Sequence, residues 1–315
     1  MAENGNEIRF DGRVAIVTGA GAGLGRSHAL GLAARGAKVV VNDLGVSTDG
    51  QGGSSDAARA VVEEIRAQGG AAIAHGANVA DEDAVRDMVE ATMAEWGRID
   101  ILVNNAGILR DKTFGKMSIA DFRTVVDVHL MGSAICSHAV WPIMREQKYG
   151  RIVLTSSASG LYGNFGQSNY GAAKAAMMGL MNVLHLEGAR DNIRVNTLAP
   201  TAATRMTENL MPPEALELLA PETITPGLLY LVSENGPSRV ILCAGAGCFA
   251  QTRVYETEGI LLEGAANTPE AVAQRFAEIT DPTAQRELGD AFSQTRKYAR
   301  KAAEARGLRL PWGEE

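Results

Sequence analysis

The segment RVAIVTGAGAGLG, residues 13–25, decides the fold of this chain. Its first half is a run of small and β-branched apolar residues, and TGAGAGLG (18–25) follows without a break. Glycines at positions 19, 23 and 25 permit a tight turn, the close approach of a pyrophosphate, and the packing of a helix against the strand. A helix that begins there offers unpaired N–H groups and a positive dipole end to phosphates. Glycine-rich turns also occur for structural reasons, but this order predicts a strand, a dinucleotide-binding turn and a helix.

Six further apolar strands alternate with helix-length segments along the chain. They are AKVVVND (37–43), GAAIAHGANV (70–79), DILVNNAG (100–107), GRIVLTSS (150–157), IRVNTLAP (193–200) and RVILCAG (239–245). Strands that are apolar throughout and separated by helices indicate parallel βαβ units with helices on both faces of the sheet. The predicted fold class is α/β, a single Rossmann-type doubly wound parallel sheet with a C-terminal helical extension.

The last part of the chain has a different pattern. Thr268-Pro269 is a typical helix start and is followed by apolar residues at helical spacing. A second, charged helix is predicted from about Thr283 to Arg306. We therefore expect residues 1–245 to form the dinucleotide-binding and catalytic domain. Residues 246–315 are expected to form an extension that packs on the same domain or on a partner subunit.

Composition and charge exclude several functional classes. The 315 residues carry a net charge of −7 with no block of like charge, which argues against nucleic acid as the main partner. Three cysteines without a CxxC pair, and no metal-ligand spacing among them and the five histidines, predict reduced thiols and no metal. No apolar run reaches the length of a membrane span, and the polar N-terminus is not a signal peptide. We expect a cytoplasmic protein that acts on a small molecule, with no membrane partner.

The cofactor prediction depends on Asp43, which ends the second strand eighteen residues after Gly25. A carboxylate at this place accepts hydrogen bonds from the adenosine ribose hydroxyls and repels a 2′-phosphate. The sequence therefore predicts NAD rather than NADP. Arg26, directly after the last glycine, is the residue that keeps NADP open as an alternative.

Catalytic chemistry is predicted from TSSASGLYGNFGQSNYGAAK (155–174). The composition after residue 168 is helical, which places Tyr170 and Lys174 one turn apart on one face. A free phenol titrates near pH ~10, and a nearby ammonium together with a positive nicotinamide ring favours its ionised form. Tyr170 is then suited to exchange a proton with a substrate alcohol, and Ser157 to donate a hydrogen bond to the same oxygen. A YxxxK spacing alone is common on helices, so this role depends on the glycine turn, Asp43 and Ser157 together.

These motifs together resemble the short-chain dehydrogenase/reductase family over roughly residues 10–245. The resemblance rests on TGAGAGLG, NNAG (104–107), Ser157, YGAAK (170–174) and the strand that ends at Pro200. Within the family, NNAGILRDKTF and QKYGRIVLTSSASGLYGNFGQSNY are similar to the (3R)-hydroxyacyl-CoA dehydrogenase branch of the peroxisomal multifunctional enzymes. The resemblance implies NAD-linked oxidation of a (3R)-3-hydroxyacyl-CoA to the 3-oxoacyl-CoA. It also implies a homo-oligomer, most simply a homodimer.

The resemblance further implies a set of cofactor contacts. They are Gly19, Gly23, Leu24 and Gly25 at the pyrophosphate, Asp43 at the ribose, Asn78 and Val79 at the adenine, Asn105, Ala106 and Gly107 along the centre, Lys174 beside Tyr170 at the nicotinamide ribose, and Pro200, Thr201 and Thr204 at the carboxamide and phosphates. The usual Pro-Gly is Pro-Thr at residues 200–201, which leaves the contacts of that loop open.

Two groups of residues carry further expectations. His129 stands in VHLMG, where many members of the family have an asparagine that supports a proton path from the lysine. An imidazole can relay protons near neutral pH, but it can equally satisfy a backbone group, and the sequence leaves both hypotheses open. On the substrate side, Ser157, Tyr162, Phe165 and Met206 are expected to line the pocket.

Other functions fit the same residues less fully. Because the acid–base residues serve any secondary alcohol, a 17β-type hydroxysteroid dehydrogenase or an enzyme for CoA thioesters of steroid side chains is the alternative. A fatty-acid-synthesis ketoreductase, which usually uses NADPH, is opposed by Asp43. A non-catalytic dinucleotide-binding sensor is opposed by the joint presence of Ser157, Tyr170 and Lys174.

Overall fold

The structure is a computed structural model that describes residues 7–45, 56–202 and 213–311. Its centre is one eight-stranded sheet with the order β3-β2-β1-β4-β5-β6-β7-β8. The strands are β1 (Val14–Thr18), β2 (Lys38–Asn42), β3 (Ala71–His75), β4 (Ile101–Asn104), β5 (Gly150–Thr155), β6 (Ile193–Pro200), β7 (Ile241–Gly245) and β8 (Cys248–Thr252). Strands β1 to β7 are parallel, and β8 is antiparallel to β7.

Helices cover both faces of this sheet, and three further helices lie in the last fifty residues. They are α1 (Gly23–Ala34), α2 (Asp56–Ala67), α3 (Glu82–Trp96), α4 (Ile119–Val126), α5 (Gly132–Gln147), α6 (Ala158–Tyr162), α7 (Ser168–Gly188), α8 (Pro213–Leu218), α9 (Thr225–Leu231), α10 (Pro269–Gln274), α11 (Phe276–Ile279) and α12 (Ala291–Ala305). A π-helical segment, Asp127–Met131, joins α4 to α5. Short 3₁₀ turns lie at Phe114–Lys116, Ala189–Asp191, Pro221–Thr223, Gly264–Ala266 and Pro282–Ala284.

The predicted fold class is confirmed, and all seven predicted strands are present. The eighth strand, β8, was missed because residues 246–252 were assigned to the extension. Ala246 and Gly247 both have positive φ (50° and 74°) and form the two-residue turn between β7 and β8. Two successive positive φ values give the type I′ hairpin geometry. The pairs Asn-Gly and Asp-Gly usually indicate this turn in a sequence, whereas Ala-Gly does not.

The chain forms two compact units, Met1–Thr252 and Arg253–Glu315. The boundary therefore lies seven residues after the predicted position of 245/246, because β8 belongs to the sheet. In the second unit, α10 begins as predicted behind Thr268, whose hydroxyl accepts a hydrogen bond from the Ala271 N–H at 3.2 Å. Helix α12 begins at Ala291 and not near Thr283, because the Asp290 carboxylate caps it by accepting from the Ser293 N–H at 2.6 Å.

The strand order creates a crevice at one edge of the sheet. From β1 the chain proceeds outward to β2 and β3, whereas β4 lies on the other side of β1 and the chain continues to β5 and β6. The order therefore reverses between β1 and β4, and ligands of open α/β sheets bind at the carboxyl ends of the strands at such a point. The glycine turn, Asp43, Asn105, Ser157 and Pro200 all stand at or just after these strand ends.

Candidate active site

The glycine-rich turn is braced from the neighbouring strand. The Thr18 hydroxyl accepts hydrogen bonds from the N–H groups of Asn105 (3.0 Å) and Ala106 (3.1 Å). The Asn105 side-chain amide donates to the carbonyls of Thr18 (3.1 Å) and Gly19 (3.0 Å). A Cβ at Gly25 would stand 2.1 Å from the Gly19 carbonyl oxygen, so only glycine fits there. Asn105, predicted to lie along the cofactor, thus holds the shape of the turn, a role the sequence did not indicate.

The N-terminus of α1 is suited to an anion. Gly23 and Leu24 are its first two residues, and the preceding residue, Ala22, has no side chain that can cap the helix. The first turn contains no acidic residue either. Within the part of the chain that the structure describes, the first N–H groups of α1 therefore have no side-chain acceptor. This donor set fits the phosphates of a dinucleotide.

Asp43 lies against the same turn. One carboxylate oxygen accepts a hydrogen bond from the Gly21 N–H and the other from the Gly45 N–H, each at 2.7 Å. The Arg26 guanidinium, which had kept NADP open, is bound by both oxygens of Glu64 at 2.6 and 2.7 Å. The charge of Arg26 is therefore matched within the protein. Residues 46–55, which follow Asp43, lie outside the described residues.

The predicted adenine residues differ in their exposure. Asn78 is exposed, and its side-chain oxygen accepts from the Ala80 N–H at 3.1 Å. The Val79 side chain is buried against the start of α5, where a Cβ at Gly132 would lie 2.6 Å from it. Asn78 can therefore present its side chain to a ligand, whereas the Val79 side chain belongs to the core.

Ser157, Tyr170 and Lys174 meet beyond the end of β5. The Ser157 hydroxyl caps α6 by accepting from the Ser159 N–H at 3.2 Å, and it is close enough to the Tyr170 side chain to lower the pKa of the phenol. The Lys174 ammonium is buried, donates to the Thr155 carbonyl at 2.6 Å, and lies 5.6 Å from the centre of the Tyr170 ring. The sequence therefore located the three groups correctly, and the helix predicted over 168–186 is α7.

Two neighbours that the sequence did not indicate fix this arrangement. The Ser156 hydroxyl donates to the Lys174 carbonyl at 2.8 Å. The Asn169 side chain accepts from the Tyr170 N–H at 2.7 Å and donates to the Arg110 carbonyl at 3.0 Å. Each adjoins a predicted catalytic residue in the chain, so its position in the motif was the available signal.

Burial dominates the titration of the tyrosine and the lysine. It raises the pKa of Tyr170 above 10.0, an effect opposed by the hydrogen bond with Ser157 and increased by the charge of Asp111. Burial also lowers the pKa of Lys174 from 10.5 to about 7. In the protein without cofactor, burial therefore favours the neutral form of both groups. The expectation that Lys174 and a nicotinamide ring together favour the phenolate stays a prediction.

This burial predicts a pH-dependent stability. Between about pH 7 and 10.5 the unfolded chain retains the Lys174 proton that the folded protein has lost, so wild-type stability rises with pH. In Lys174→Met this contribution is absent. We expect the free energy of unfolding of the wild type, relative to that of the variant, to increase by about 1.4 kcal/mol per pH unit in this window. Urea denaturation at several pH values measures it, and a constant difference would contradict it.

His129 lies in the π-helical segment, buried beside the tyrosine. Its ring is edge-on to the Tyr170 ring, with centroids 5.1 Å apart and an interplanar angle of 88°. Its Nε2 lies 2.8 Å from the Ile108 carbonyl oxygen and 3.1 Å from the Ile108 N–H nitrogen. A Cβ at Gly107 would stand 2.3 Å from the ring, so glycine is required there. The structure thus supports the second hypothesis for His129, that it satisfies a backbone group.

The charge state of His129 points the same way. Burial, and secondarily the charge of Lys174, hold its pKa well below 6.5 in spite of the hydrogen bond with Ile108. The imidazole is therefore neutral near neutral pH. No described residue hydrogen-bonds its Nδ1.

The remaining predicted residues differ in where they lie and in what they contact. Pro200 ends β6, and the Thr201 N–H donates to the Ala244 carbonyl at 2.8 Å. The Tyr162 hydroxyl hydrogen-bonds the Thr252 hydroxyl at 2.9 Å, while Phe165 is 89% exposed. Thr204 and Met206 lie outside the described residues.

Two properties of the described residues bear on other functional classes. None of their helices combines the length and the apolar character that crossing a membrane requires. Nor do their histidine, cysteine, aspartate and glutamate side chains form a group of three that could hold a metal ion.

Comparison with known proteins agrees with this site. The family model described as short chain dehydrogenase matches residues 13–215. The chain is 48% identical over 277 residues to the peroxisomal hydratase-dehydrogenase-epimerase of Saccharomyces cerevisiae, covering 87% of this chain and 31% of that protein. The full-length peroxisomal multifunctional enzyme type 2 of Drosophila melanogaster superposes with a TM-score of 0.79 at 39% identity, over 95% of this chain and 50% of that one.

A second solved structure is similar to the sheet and its helices. It is a 7α-hydroxysteroid dehydrogenase in complex with NADH and 7-oxo glycochenodeoxycholic acid, with a TM-score of 0.68 and 32% identity over 76% of this chain and 95% of that one. Both multifunctional relatives are much longer than this chain, which spans about a third of one and half of the other.

Proposed function

The chain belongs to the short-chain dehydrogenase family, and from this premise we propose that it oxidises (3R)-3-hydroxyacyl-CoA to 3-oxoacyl-CoA with NAD. The family makes it an oxidoreductase that acts on CH–OH groups. The observation that carries the proposal is the cluster of Ser157, Tyr170 and Lys174 beside a phosphate-binding turn. Identity to relatives named as peroxisomal multifunctional enzymes supports the acyl-CoA substrate.

The choice of NAD rests on Asp43 and Arg26. The carboxylate of Asp43, held by the Gly21 and Gly45 N–H groups, offers acceptors to ribose hydroxyls and repels a 2′-phosphate. The guanidinium of Arg26 is bound to the Glu64 carboxylate, so it is directed to a partner within the protein and not to a cofactor phosphate. The similar hydroxysteroid dehydrogenase was solved with NADH, which supports the same cofactor. The residues proposed to hold it are Gly19, Gly23, Leu24, Gly25, Asp43, Asn78, Val79, Asn105, Ala106, Gly107, Tyr170, Lys174, Pro200, Thr201 and Thr204.

The proposed mechanism assigns one task to each catalytic side chain. Bound NAD would supply the acceptor for the hydride of the carbinol carbon, and the positive charge of its ring would favour the phenolate of Tyr170. The Tyr170 oxygen takes the proton of the substrate hydroxyl, and in the reverse direction returns it. The Ser157 hydroxyl donates a hydrogen bond to the same substrate oxygen and holds it in line. Within the described chain the Lys174 ammonium donates only to the Thr155 carbonyl, so further donors remain for a ribose.

His129 is proposed as a positioning residue in this mechanism. We expect His129→Ala to lower kcat by about tenfold, because the Tyr170 ring and the Gly107 backbone lose a packed neighbour and small misplacements are costly. The pH dependence of kcat is expected to keep its shape, because the imidazole that the variant lacks is neutral in the wild type. His129→Gln, whose amide can bond Ile108, should recover much of the rate. A shift in the pH profile would instead support the proton relay.

The proposal also includes the substrate residues, a homodimer and a location in the cell. Ser157, Tyr162, Phe165 and Met206 are kept as substrate residues, of which Tyr162 has a contact that places it beside β8. Val183 and Leu186, each about half exposed on α7, support a homodimer. A cytoplasmic location stays a prediction, since the relatives are named as peroxisomal proteins.

Initial rates test the proposed function directly. NAD and NADP reduction are measured with short-chain, long-chain and steroid side-chain 3-hydroxyacyl-CoA substrates and with free hydroxysteroids. The expected result is activity with NAD on the CoA thioesters of the R configuration. Activity confined to NADP, or to free steroids, would overturn the proposal, and the second outcome would favour the hydroxysteroid alternative that the 7α-hydroxysteroid dehydrogenase structure suggests.

A further inference from the structure

A cavity of about 330 Å³ lies within the first unit, between α6 and the β7–β8 hairpin. Ala158, Leu161 and Tyr162 form its helical wall, and Thr201 stands at its border. Ala158 follows Ser157 directly, and Thr201 follows Pro200, so the cavity adjoins both the proposed substrate oxygen and the proposed nicotinamide loop. The cavity is therefore lined by residues that adjoin the candidate active site in the chain.

The floor of the cavity is built from small side chains on one face of the hairpin. In the antiparallel pair, Cys243 is opposite Ala250 and Gly245 is opposite Cys248, and all four line the cavity. Residues two apart on a strand share a face, and directly opposed residues share it too. Among the described residues, the small side chains of this face lie opposite α6 and leave room for the cavity.

The same face is closed at one end by hydrogen bonds. The Tyr162 hydroxyl meets the Thr252 hydroxyl at 2.9 Å, and the latter lies 3.2 Å from the Cys243 sulfur. These contacts tie α6 to β8 and limit how far a ligand can extend. The Phe249 ring mainly packs elsewhere, since a Cβ at Gly227 on α9 would stand 2.7 Å from it.

Building on the proposed function, we propose that this cavity receives the hydrocarbon tail of the substrate and that the side chain at position 248 limits the tail it admits. A cavity lined mainly by alanine, leucine and cysteine favours an aliphatic group over a charged one. The tail is the apolar part of the molecule whose oxygen is proposed to be held by Ser157, and Ala158, which follows Ser157, lines the cavity, so this neighbourhood selects the tail as the occupant. The floor was unforeseen because β8 was not predicted as a strand.

Cys248→Trp tests the inference by filling the cavity from its floor. Position 248 is exposed, so the larger side chain does not disturb the core. We expect kcat/KM for 3-hydroxypalmitoyl-CoA to fall at least about tenfold relative to that for 3-hydroxybutyryl-CoA, since one misfitting methylene already costs about tenfold in an apolar pocket. Gln251→Trp is the matched control, because it enlarges a residue of the same strand that does not line the cavity.

Thiol labelling of the wild-type chain gives a second, independent measurement. Of the three cysteines, Cys136 is buried with a pKa raised to about 12, so alkyl methanethiosulfonates react at the other two. Labels of increasing size are expected to lower progressively the ratio of kcat/KM for the long-chain substrate to kcat/KM for the short-chain substrate. Palmitoyl-CoA is expected to slow the labelling. In Cys248→Ser most of the effect of the labels on this ratio is expected to be lost.

The outcomes separate the inference from the function on which it rests. The inference alone would be overturned if neither Cys248→Trp nor the labels changed the ratio of kcat/KM for long-chain and short-chain substrates. It would also be overturned if Gln251→Trp changed this ratio in the same way. Wild-type protein inactive on both acyl-CoA substrates would overturn the proposed function and the inference with it.

Discussion

Tyr170→Phe is expected to lower kcat for alcohol oxidation by about 10²–10⁴-fold, the contribution typical of general acid–base catalysis. The substitution removes only the phenolic oxygen, whose pKa is lowered by the nearby Ser157 hydroxyl just beyond β5. The ring keeps its edge-on contact with His129, so the shape of the site is retained. The dissociation constant of NAD, measured by fluorescence or calorimetry, should therefore change by no more than about twofold, since the phosphate-binding turn is untouched.

Tyr149→Phe provides the matched control for this result. Tyr149 precedes the opposite end of β5, and its ring is packed between the guanidinium groups of Arg13 and Arg151 at 3.6 and 4.1 Å. Its hydroxyl has no part in the proposed chemistry, so kcat should remain near that of the wild type. A Tyr170→Phe variant that retains more than a tenth of wild-type kcat would contradict the assignment of Tyr170 as the acid–base residue.

The catalytic cluster was predictable because its geometry is mostly local. Tyr170 and Lys174 are one helical turn apart, and a helical composition is enough to place them on one face. The burial that shifts the pKa values of both groups was not predictable in this way. The depth at which the lysine lies depends on α6 packing against α7, where a Cβ at Gly160 would stand 2.7 Å from the Lys174 Cβ. Burial of this kind arises from tertiary packing and has no signature in the spacing of two residues.

The sheet shows the same division between local and non-local information. The first seven strands were predictable because each is a short apolar run between helix-length segments, a pattern that only a parallel sheet covered on both faces explains. Strand β8 is an edge strand, and four of its five residues are exposed. Its identity depends on pairing with β7 through the Ala246-Gly247 turn. The cavity floor formed by this pairing was consequently beyond reach from the sequence.

Cofactor choice is the second property for which a large effect is expected. Asp43→Asn keeps the size of the side chain but removes its charge and one of the acceptors now used by the Gly21 and Gly45 N–H groups. A hydrogen bond to a charged group is worth about 1.5–3 kcal/mol, so kcat/KM with NAD should fall about tenfold or more. With NADP it should rise, because a 2′-phosphate no longer meets a carboxylate. We expect the NAD-to-NADP preference to fall by about 10²-fold, as measured by initial rates with each cofactor.

Arg26 makes this expectation more specific than a general loss of binding. The guanidinium is held by Glu64 at 2.6 and 2.7 Å, so Glu64→Gln weakens its hold and makes the cation available to a phosphate. In the double variant with Asp43→Asn, kcat/KM with NADP should increase further. Neither change should alter the preference among acyl-chain lengths. Asp290→Asn, which removes a helix-capping carboxylate from α12, serves as the control and should leave the cofactor ratio unchanged. If Asp43→Asn lowered the rates with both cofactors equally, the carboxylate would be a brace for the glycine turn and not the residue that selects NAD.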